Sequence, residues 1–214
     1  MPNKPKVKVC GITREADAEL ALELGADYLG IILFERSPRA VDPSRLEALF
    51  TVIPEGKRVL VDVNSGTDTL GGLVGRGFDF CQIHCLPEIA MSTLAGWSGI
   101  VGPERLWLAP KVPPADPFPQ ATLEFADTIV YDSVSQDPLL FGGTGETSDW
   151  ERFQEWSTLY GHKQWILAGG LKPENIAAAL EATTPDIVDV NSGVESAPGK
   201  KDPARLRALF DSIS

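Results

Sequence analysis

The sequence contains few cysteines and no long apolar run. Three cysteines occur among 214 residues, and no apolar stretch approaches the roughly 18 residues that a membrane helix needs. The start of the chain also lacks the pattern of a secretory signal peptide. A disulfide framework is therefore not expected. These absences predict a protein of the reducing cytoplasm that has no membrane partner.

Positive charge is scarce as well. The chain has 19 lysines and arginines against 30 aspartates and glutamates, a net charge of −11, whereas nucleic-acid-binding domains carry a basic surface. We therefore expect no nucleic-acid partner. A local basic pocket for an anionic metabolite is still compatible with this charge, because net charge mainly affects solubility and long-range steering. Hydrophobic residues make up 43% of the chain, enough for the core of one domain spanning residues 1–214.

Motifs of common cofactor sites are missing too. No G-x-G-x-x-G sequence follows the first predicted strand, which disfavours a dinucleotide-binding fold. The glycines of residues 141–150 are not followed by the Lys-Ser or Lys-Thr of a Walker A loop. Cys81, His84 and Cys85 lie close together, but strand alternation sends His84 to the opposite face from Cys81, and no second Cys/His cluster exists. We therefore predict no zinc site.

Short apolar runs alternate with helical patterns from one end of the chain to the other. The runs consist mainly of Val, Ile and Leu, which is typical of parallel strands that are buried on both faces. We predict strands at residues 6–11, 27–34, 57–63, 79–84, 105–110, 127–132, 164–168 and 186–191. Eight such βα units favour an α/β fold, a single-domain (β/α)8 TIM barrel, over a doubly wound sheet.

Local signals mark where helices and strands begin. Asp42–Pro43 and Asp202–Pro203 precede apolar stripes as an N-cap followed by proline at the first helical position. Gly25 can end the first helix in the left-handed conformation. An aspartate also opens every even-numbered strand, at Asp27, Asp79, Asp127 and Asp186. A repeat history and common capping chemistry would each produce this pattern.

Two residues at strand ends are candidates for proton transfer, because active sites of such barrels lie at the C-terminal ends of the strands. Cys10 ends the first strand on the same face as Lys8. A nearby ammonium and a helix N-terminus would both favour its thiolate. Asp132 ends the sixth strand, where desolvation would keep it protonated as a general acid. A buried structural cysteine and a loop-capping aspartate are the alternatives.

Glycine-bearing turns follow the seventh and eighth strands and predict a phosphate site. Phosphate is frequently bound by these two loops in (β/α)8 barrels. The candidates are Gly169, Gly170, Ser192 and Gly193. A third glycine-rich segment, at residues 141–150, is a candidate flap over a substrate.

Two further side chains are candidates for binding. Arg39, in the loop after the second strand, is able to hold a carboxylate bidentately, although a solvated surface arginine is the alternative. His84 either lines the mouth of the barrel or is a core histidine with satisfied hydrogen bonds.

Several segments in a fixed order resemble the phosphoribosylanthranilate isomerase family over nearly the whole chain. These are KVCGIT, GADYLGIILFERSPRAV, QIH, GGTGETSDW, LAGGLKPENI and DVNSGVESAPGKKD. The resemblance implies an isomerase of tryptophan biosynthesis that needs no cofactor. Its reaction is the Amadori rearrangement of N-(5′-phosphoribosyl)anthranilate to 1-(2-carboxyphenylamino)-1-deoxyribulose 5-phosphate. It also implies that Asp132 protonates the ribose ring oxygen and that Cys10 removes the C2′ proton.

The same resemblance implies the binding residues. Arg39 would hold the anthranilate carboxylate and the two glycine turns would form the phosphate cup. The remaining substrate-binding residues it implies are His84, Gly143, Gly145 and Asp189. Three positions depart from the family pattern, namely Cys85 in place of Gly, and Asp62 and Ser148 in place of Phe.

Other functions remain open at this point. A histidine-pathway aminoaldose isomerase usually has an aspartate base where this chain has Cys10. A dual-pathway isomerase and a non-catalytic barrel that binds a phosphorylated ligand are further alternatives. Either a monomer or a homodimer is expected.

Overall fold

The structure, a computed structural model, describes residues 4–86, 88–133 and 147–213. Within these ranges, parallel strands close into an eight-stranded barrel in which each strand pairs with the next and the last pairs with the first. The strands are β1 (Lys6–Val9), β2 (Tyr28–Ile32), β3 (Arg58–Val63), β4 (Phe80–Cys85), β5 (Leu106–Pro110), β6 (Thr128–Tyr131), β7 (Gln164–Leu167) and β8 (Ile187–Val190). The predicted TIM barrel is confirmed.

Helices surround the barrel and cover its apolar outer face. They are α1 (Glu15–Glu23), α2 (Leu46–Val52), α3 (Thr67–Val74), α4 (Met91–Val101), α5 (Trp150–Leu159), α6 (Ile176–Ala182) and α7 (Pro203–Ile213). Short 3-10 turns lie at Pro43–Arg45, Gln120–Glu124 and Ser192–Val194, and a small hairpin pairs β9 (Glu195–Ala197) with β10 (Lys200–Lys201). Across the described ranges, every helix is too short or too polar to cross a membrane.

The predicted helix boundaries are confirmed except at one start. Asp202 caps α7 by accepting the backbone N–H groups of Ala204 and Arg205, and Gly25 has a φ of +101° after α1. Asp42 accepts the N–H of Ser44, but the turn that it begins is a 3-10 turn, and α2 starts only at Leu46.

Three of the four aspartates that open the even-numbered strands accept a backbone N–H from the preceding strand. Asp27 accepts the backbone N–H of Val7, Asp79 that of Arg58 and Asp186 that of Trp165, at distances of 2.8, 2.9 and 2.8 Å. Each bond fastens the start of an even strand to the start of the preceding odd strand. Asp127 differs, because its carboxylate pairs with Lys163 at 3.4 Å. Capping chemistry therefore accounts for three of these four positions.

The inside of the barrel is apolar at one end and polar at the other. Near the strand starts, the rings of Tyr28, Phe80 and Trp107 pack together with centroids 5.0–5.4 Å apart. Near the strand ends, the inward-facing residues include the buried polar side chains of Lys8 and Gln82. Aromatic rings therefore fill the N-terminal end of the barrel, and the polar side chains lie towards the C-terminal end.

We expect Asp27→Ala to lower the free energy of unfolding by about 1–2 kcal/mol, because the Val7 N–H loses its acceptor. Chemical denaturation monitored by circular dichroism measures the change. Asp127→Ala is the matched control, since its partly exposed ion pair is expected to contribute little. Equal losses in the two variants would contradict the capping role of Asp27.

Candidate active site

An open cleft of about 690 Å³ lies at the C-terminal ends of the strands. Every predicted site residue within the described ranges lines it, namely Cys10, Arg39, His84, Asp132, Gly169, Gly170, Asp189, Ser192 and Gly193. Gly143 and Gly145 lie outside the described residues. The chain therefore brings together side chains that its sequence places as much as 183 positions apart.

A buried ion pair borders this cleft through Asp189. The ammonium of Lys8, which is fully buried, lies 2.5 Å from Oδ2 of Asp189 on the neighbouring strand. Burial would lower the pKa of Lys8, but the carboxylate of Asp189 and the adjacent Cys10 raise it above its ordinary value. Lys8 consequently keeps its positive charge inside the barrel.

Cys10 lies beside this pair at the end of β1. Burial raises the pKa of its thiol, and the nearby Lys8 ammonium acts in the opposite direction. A side chain on Gly30 of β2 would collide with both groups, since its Cβ would lie 2.8 Å from Sγ of Cys10 and 3.1 Å from Cε of Lys8. Gly30 is therefore needed for Cys10 and Lys8 to lie side by side, a requirement that sequence reasoning missed.

Asp132 follows β6 on another side of the cleft. Burial and the negative charge of Asp189 raise the pKa of Asp132 to about 6, although the backbone N–H of Ser133 donates to its Oδ1 at 2.8 Å and opposes this shift. A carboxyl group that titrates near pH 6 holds a proton in part of the molecules near neutrality. It meets the requirement for a general acid.

His84 lies at the mouth as a buried neutral imidazole. Its Nε2 is 3.0 Å from Nε2 of Gln82. Burial, together with the charge of Lys8, lowers the pKa of His84 to about 4. His84 is therefore a neutral hydrogen-bonding group at pH 7 and contributes no positive charge to the site.

The two other cysteines face away from the cleft, and Cys81 lies on the opposite face of the strand from His84, as strand alternation predicted. Cys81 and Cys85 are fully buried in the outer core against the helices. Burial raises the pKa of both thiols to about 12, so they stay protonated and inert. The presence of Cys85 where the family has Gly therefore affects the packing between β4 and the surrounding helices.

Arg39 is buried and ion-paired, so the alternative of a solvated surface arginine is wrong. Its side chain is 10% exposed, and its Nη2 lies 2.8 Å from Oε2 of Glu195. Its Nε also donates to both carboxylate oxygens of Glu195, at 3.1 and 3.0 Å. The sequence does not predict this partner, because 156 residues separate the two.

The loops after β7 and β8 pack against each other at their glycines. Gly169 and Gly170 have φ values of +87° and +62°, which other residues rarely adopt. A Cβ at Gly193 would overlap the carbonyl oxygen of Leu171, and one at Gly169 would lie 2.5 Å from the backbone nitrogen of Ser133. The two predicted phosphate turns thus form one continuous wall that only glycine permits.

Two departures from the family pattern fasten loops. Asp62 borders the cleft, but its Oδ2 accepts the hydroxyl of Ser65 at 2.5 Å, and the carbonyl of Ser65 accepts the indole N–H of Trp97 at 2.7 Å. Ser148 donates to the carbonyl oxygen of Ala168 at 2.7 Å. Asp62 is thus engaged in holding the loop after β3, and Ser148 joins the start of α5 to the end of β7.

Comparison with known proteins settles the family. The model of the N-(5′-phosphoribosyl)anthranilate (PRA) isomerase family matches residues 7–212. The chain belongs to this family. The N-(5′-phosphoribosyl)anthranilate isomerase of Citrifermentans bemidjiense is 36% identical over 206 residues, which cover 96% of this chain and 95% of that protein.

Solved structures of phosphoribosylanthranilate isomerases agree with this assignment. The enzyme of Thermus thermophilus has a TM-score of 0.79 and is 29% identical, and the match covers 97% of this chain and 98% of that one. Another was solved in complex with reduced 1-(o-carboxyphenylamino)-1-deoxyribulose 5-phosphate, with a TM-score of 0.77, 25% identity and 98% coverage of both chains. The predicted family, the isomerase class and the place in tryptophan biosynthesis are confirmed, which disfavours the histidine-pathway alternative.

The raised pKa of Asp132 predicts a pH-dependent gain in stability when the carboxyl is removed. Because the folded protein binds this proton more tightly than the unfolded chain, the ionised carboxylate destabilises the fold above pH 6. We expect Asp132→Asn to raise the free energy of unfolding by about 2 kcal/mol at pH 8. The gain should shrink as the pH falls through 6 towards 4.

Denaturant titrations at pH 8 and pH 5 measure this difference, with Asp127→Asn at the opposite end of the barrel as the control. A gain of equal size at both pH values would contradict a carboxyl that titrates near pH 6.

Proposed function

We propose that this protein converts N-(5′-phosphoribosyl)anthranilate to 1-(2-carboxyphenylamino)-1-deoxyribulose 5-phosphate, with Asp132 as general acid and Cys10 as general base. The observation that carries this proposal is the placement of a carboxyl and a thiol in one cleft, which Asp189 of the Lys8–Asp189 ion pair also lines. A reaction with one acid and one base needs different environments for the two groups: Lys8 lowers the pKa of Cys10, although burial keeps it above its ordinary value, whereas Asp189 adds to the effect of burial on the pKa of Asp132.

The first step is ring opening. Asp132 donates its proton to the furanose ring oxygen while the bond between that oxygen and C1′ breaks. The lone pair of the anthranilate nitrogen forms a double bond to C1′, which gives a protonated Schiff base. The partly protonated state of Asp132 near neutrality supplies this proton, and the second carboxylate, Asp189, favours that state.

The second step is proton abstraction from C2′. The thiolate of Cys10 takes this proton, and the electron pair of the broken C–H bond forms the C1′=C2′ double bond of an enolamine. The positive charge on nitrogen is neutralised in the same step. Tautomerisation of the enolamine, with protonation of C1′ and loss of the O2′ proton, gives the ketone. The adjacent Lys8 ammonium stabilises the thiolate in a site where burial disfavours it.

The rest of the cleft suits the two anionic ends of this substrate. Arg39 supplies a guanidinium for the anthranilate carboxylate, and the joined wall of Gly169, Gly170, Ser192 and Gly193 supplies backbone N–H groups for the phosphate. His84 and Asp189 would contact the central part of the substrate. We further propose that the enzyme acts in the cytoplasm, as a monomer or a homodimer.

A fluorescence assay tests the activity directly. Purified protein is mixed with enzymatically generated phosphoribosylanthranilate, and the anthranilate-type fluorescence is followed. We expect its decay to be much faster than the uncatalysed rate. If the rate stays at the uncatalysed level, the isomerase proposal is wrong and a non-catalytic ligand-binding barrel becomes the better interpretation.

The assigned proton-transfer groups predict large losses in kcat. Cys10→Ala and Asp132→Asn should each lower kcat by about 10²- to 10⁴-fold, because each removes an acid or base. Cys81→Ala is the matched control, since this buried thiol lies in the outer core, and it should keep kcat within about threefold. Near-normal turnover in Cys10→Ala would refute the assignment of the base.

A further inference from the structure

Glu195 forms a buried ion pair with Lys201 as well as with Arg39, and we assign neither Glu195 nor Lys201 a part in the proton transfers. They face each other across the β9–β10 hairpin, and Nζ of Lys201 lies 3.0 Å from Oε1 of Glu195. The two side chains are 0% and 4% exposed. Burying two charges is unfavourable unless both are well paired. The hairpin must therefore hold Glu195 and Lys201 in hydrogen-bonding geometry.

Glu195 also fixes the orientation of Arg39. Its carboxylate accepts hydrogen bonds from Nε and Nη2 of the guanidinium, at distances from 2.8 to 3.1 Å. Arg39 nevertheless lines the cleft. Glu195 therefore holds one edge of the planar guanidinium, and the group keeps further donors for a ligand.

Lys201 balances the charge of this arrangement. Arg39 and Glu195 alone would form a neutral pair, which would attract an anionic substrate weakly. With a protonated Lys201 the three side chains carry a net charge of +1. Burial lowers the pKa of Lys201, and the carboxylate of Glu195 opposes this shift. Burial would raise the pKa of Glu195, but Arg39 and Lys201 hold it below its ordinary value, so the carboxylate stays ionised between its two cations.

Lys201 reaches the phosphate loop as well. Its Nζ donates to the side-chain oxygen of Asn191 at 3.0 Å and to the carbonyl oxygen of that residue at 3.3 Å. Asn191 directly precedes Ser192 and Gly193 and itself lines the cleft. One ammonium thus contacts both the partner of Arg39 and the first residue of the loop that is proposed to bind phosphate.

The hairpin is fastened to the barrel independently of these side chains. The backbone N–H of Lys201 donates to Oδ2 of Asp17 on α1 at 3.1 Å. Asp17 is buried and also forms an ion pair with Arg14, which directly precedes the helix. Thr13 donates to the carbonyl oxygen of Gly199 at 2.5 Å. These contacts hold in place the hairpin whose Glu195 and Lys201 contact Arg39 and Asn191.

We propose that Glu195 and Lys201 are positioning residues that hold the two anion-binding ends of the site at one fixed separation. Glu195 orients Arg39 towards the substrate carboxylate, and Lys201 supplies the missing positive charge and ties Arg39 to the phosphate loop through Asn191. This inference deepens the proposed function and rests on it. A substrate with a carboxylate at one end and a phosphate at the other is bound as a single rigid span, without the entropy cost of ordering each arm separately.

The test combines protein variants with truncated ligands. Inhibition constants are measured for reduced 1-(o-carboxyphenylamino)-1-deoxyribulose 5-phosphate, for its analogue without the carboxylate and for its analogue without the phosphate. The proteins are the wild type, Glu195→Gln, Lys201→Met and the control Lys200→Met, which alters the exposed neighbouring lysine of the same hairpin. Thermal unfolding verifies that each variant is folded.

We expect Glu195→Gln and Lys201→Met to raise KM about 10- to 100-fold with a much smaller change in kcat, because truncating one partner of a buried charge pair mainly weakens binding. In Glu195→Gln, removal of the ligand carboxylate should cost at least about tenfold less affinity than in the wild type. In Lys201→Met, removal of either anionic group should cost less. Lys200→Met should match the wild type.

The outcomes separate this inference from the proposed function. Absence of turnover in the wild type would overturn the function itself. If the wild type is active and both variants lose as much affinity as the wild type on each ligand truncation, the positioning role is overturned. A merely structural role would lower stability and leave these penalties unchanged. If Lys201→Met does not fold, Glu195→Gln decides the question, because this change conserves size. The deciding measurement is its loss of affinity when the ligand carboxylate is removed.

Discussion

The ion pair between Lys8 and Asp189 is the interaction on which the site depends. The two residues are direct neighbours across the seam where β8 pairs with β1, so the pair forms where the chain closes the barrel on itself. Both charges are buried and lie 2.5 Å apart. Loss of either partner would leave an uncompensated charge in the interior, which is far more costly than loss of an exposed pair. The pairing of β1 with β8 that closes the barrel thus also brings Lys8 and Asp189 together.

The same pair sets the electrostatics of the proposed acid and base. The ammonium of Lys8 opposes the effect of burial on the pKa of Cys10, and the carboxylate of Asp189 adds to the effect of burial on the pKa of Asp132. The Lys8 ammonium therefore limits the rise that burial causes in the pKa of Cys10, while Asp189 favours a protonated carboxyl at Asp132. The lowered pKa of His84 has a contribution from Lys8 as well, so the third titratable group in the mouth stays neutral.

How much the sequence predicts depends on how local each feature is. The strands could be predicted to within a few residues, because each is a short apolar run between turn signals. Cys10 and Asp132 could be found because they end strands, and that position alone decides where a side chain lies in this fold. The bonds of Glu195 to Arg39 and Lys201 could not be predicted from the sequence, because they depend on how the β9–β10 hairpin packs against the barrel. The part played by Asp62 was also hidden, because its engagement with Ser65 depends on the shape of a loop.

Three glycines show how the fold links the binding walls to the chemistry. The space that a side chain on Gly169 would need is filled by Ser133, which directly follows Asp132, so the wall proposed for phosphate lies against the segment that carries the acid. Gly193 abuts Leu171 and joins the loop after β8 to the loop after β7, while Gly30 leaves room for Cys10 and Lys8. In each case a missing side chain lets two elements approach more closely than others could. Close approach at these three glycines therefore helps to place the proposed acid, the proposed base and the wall proposed for phosphate.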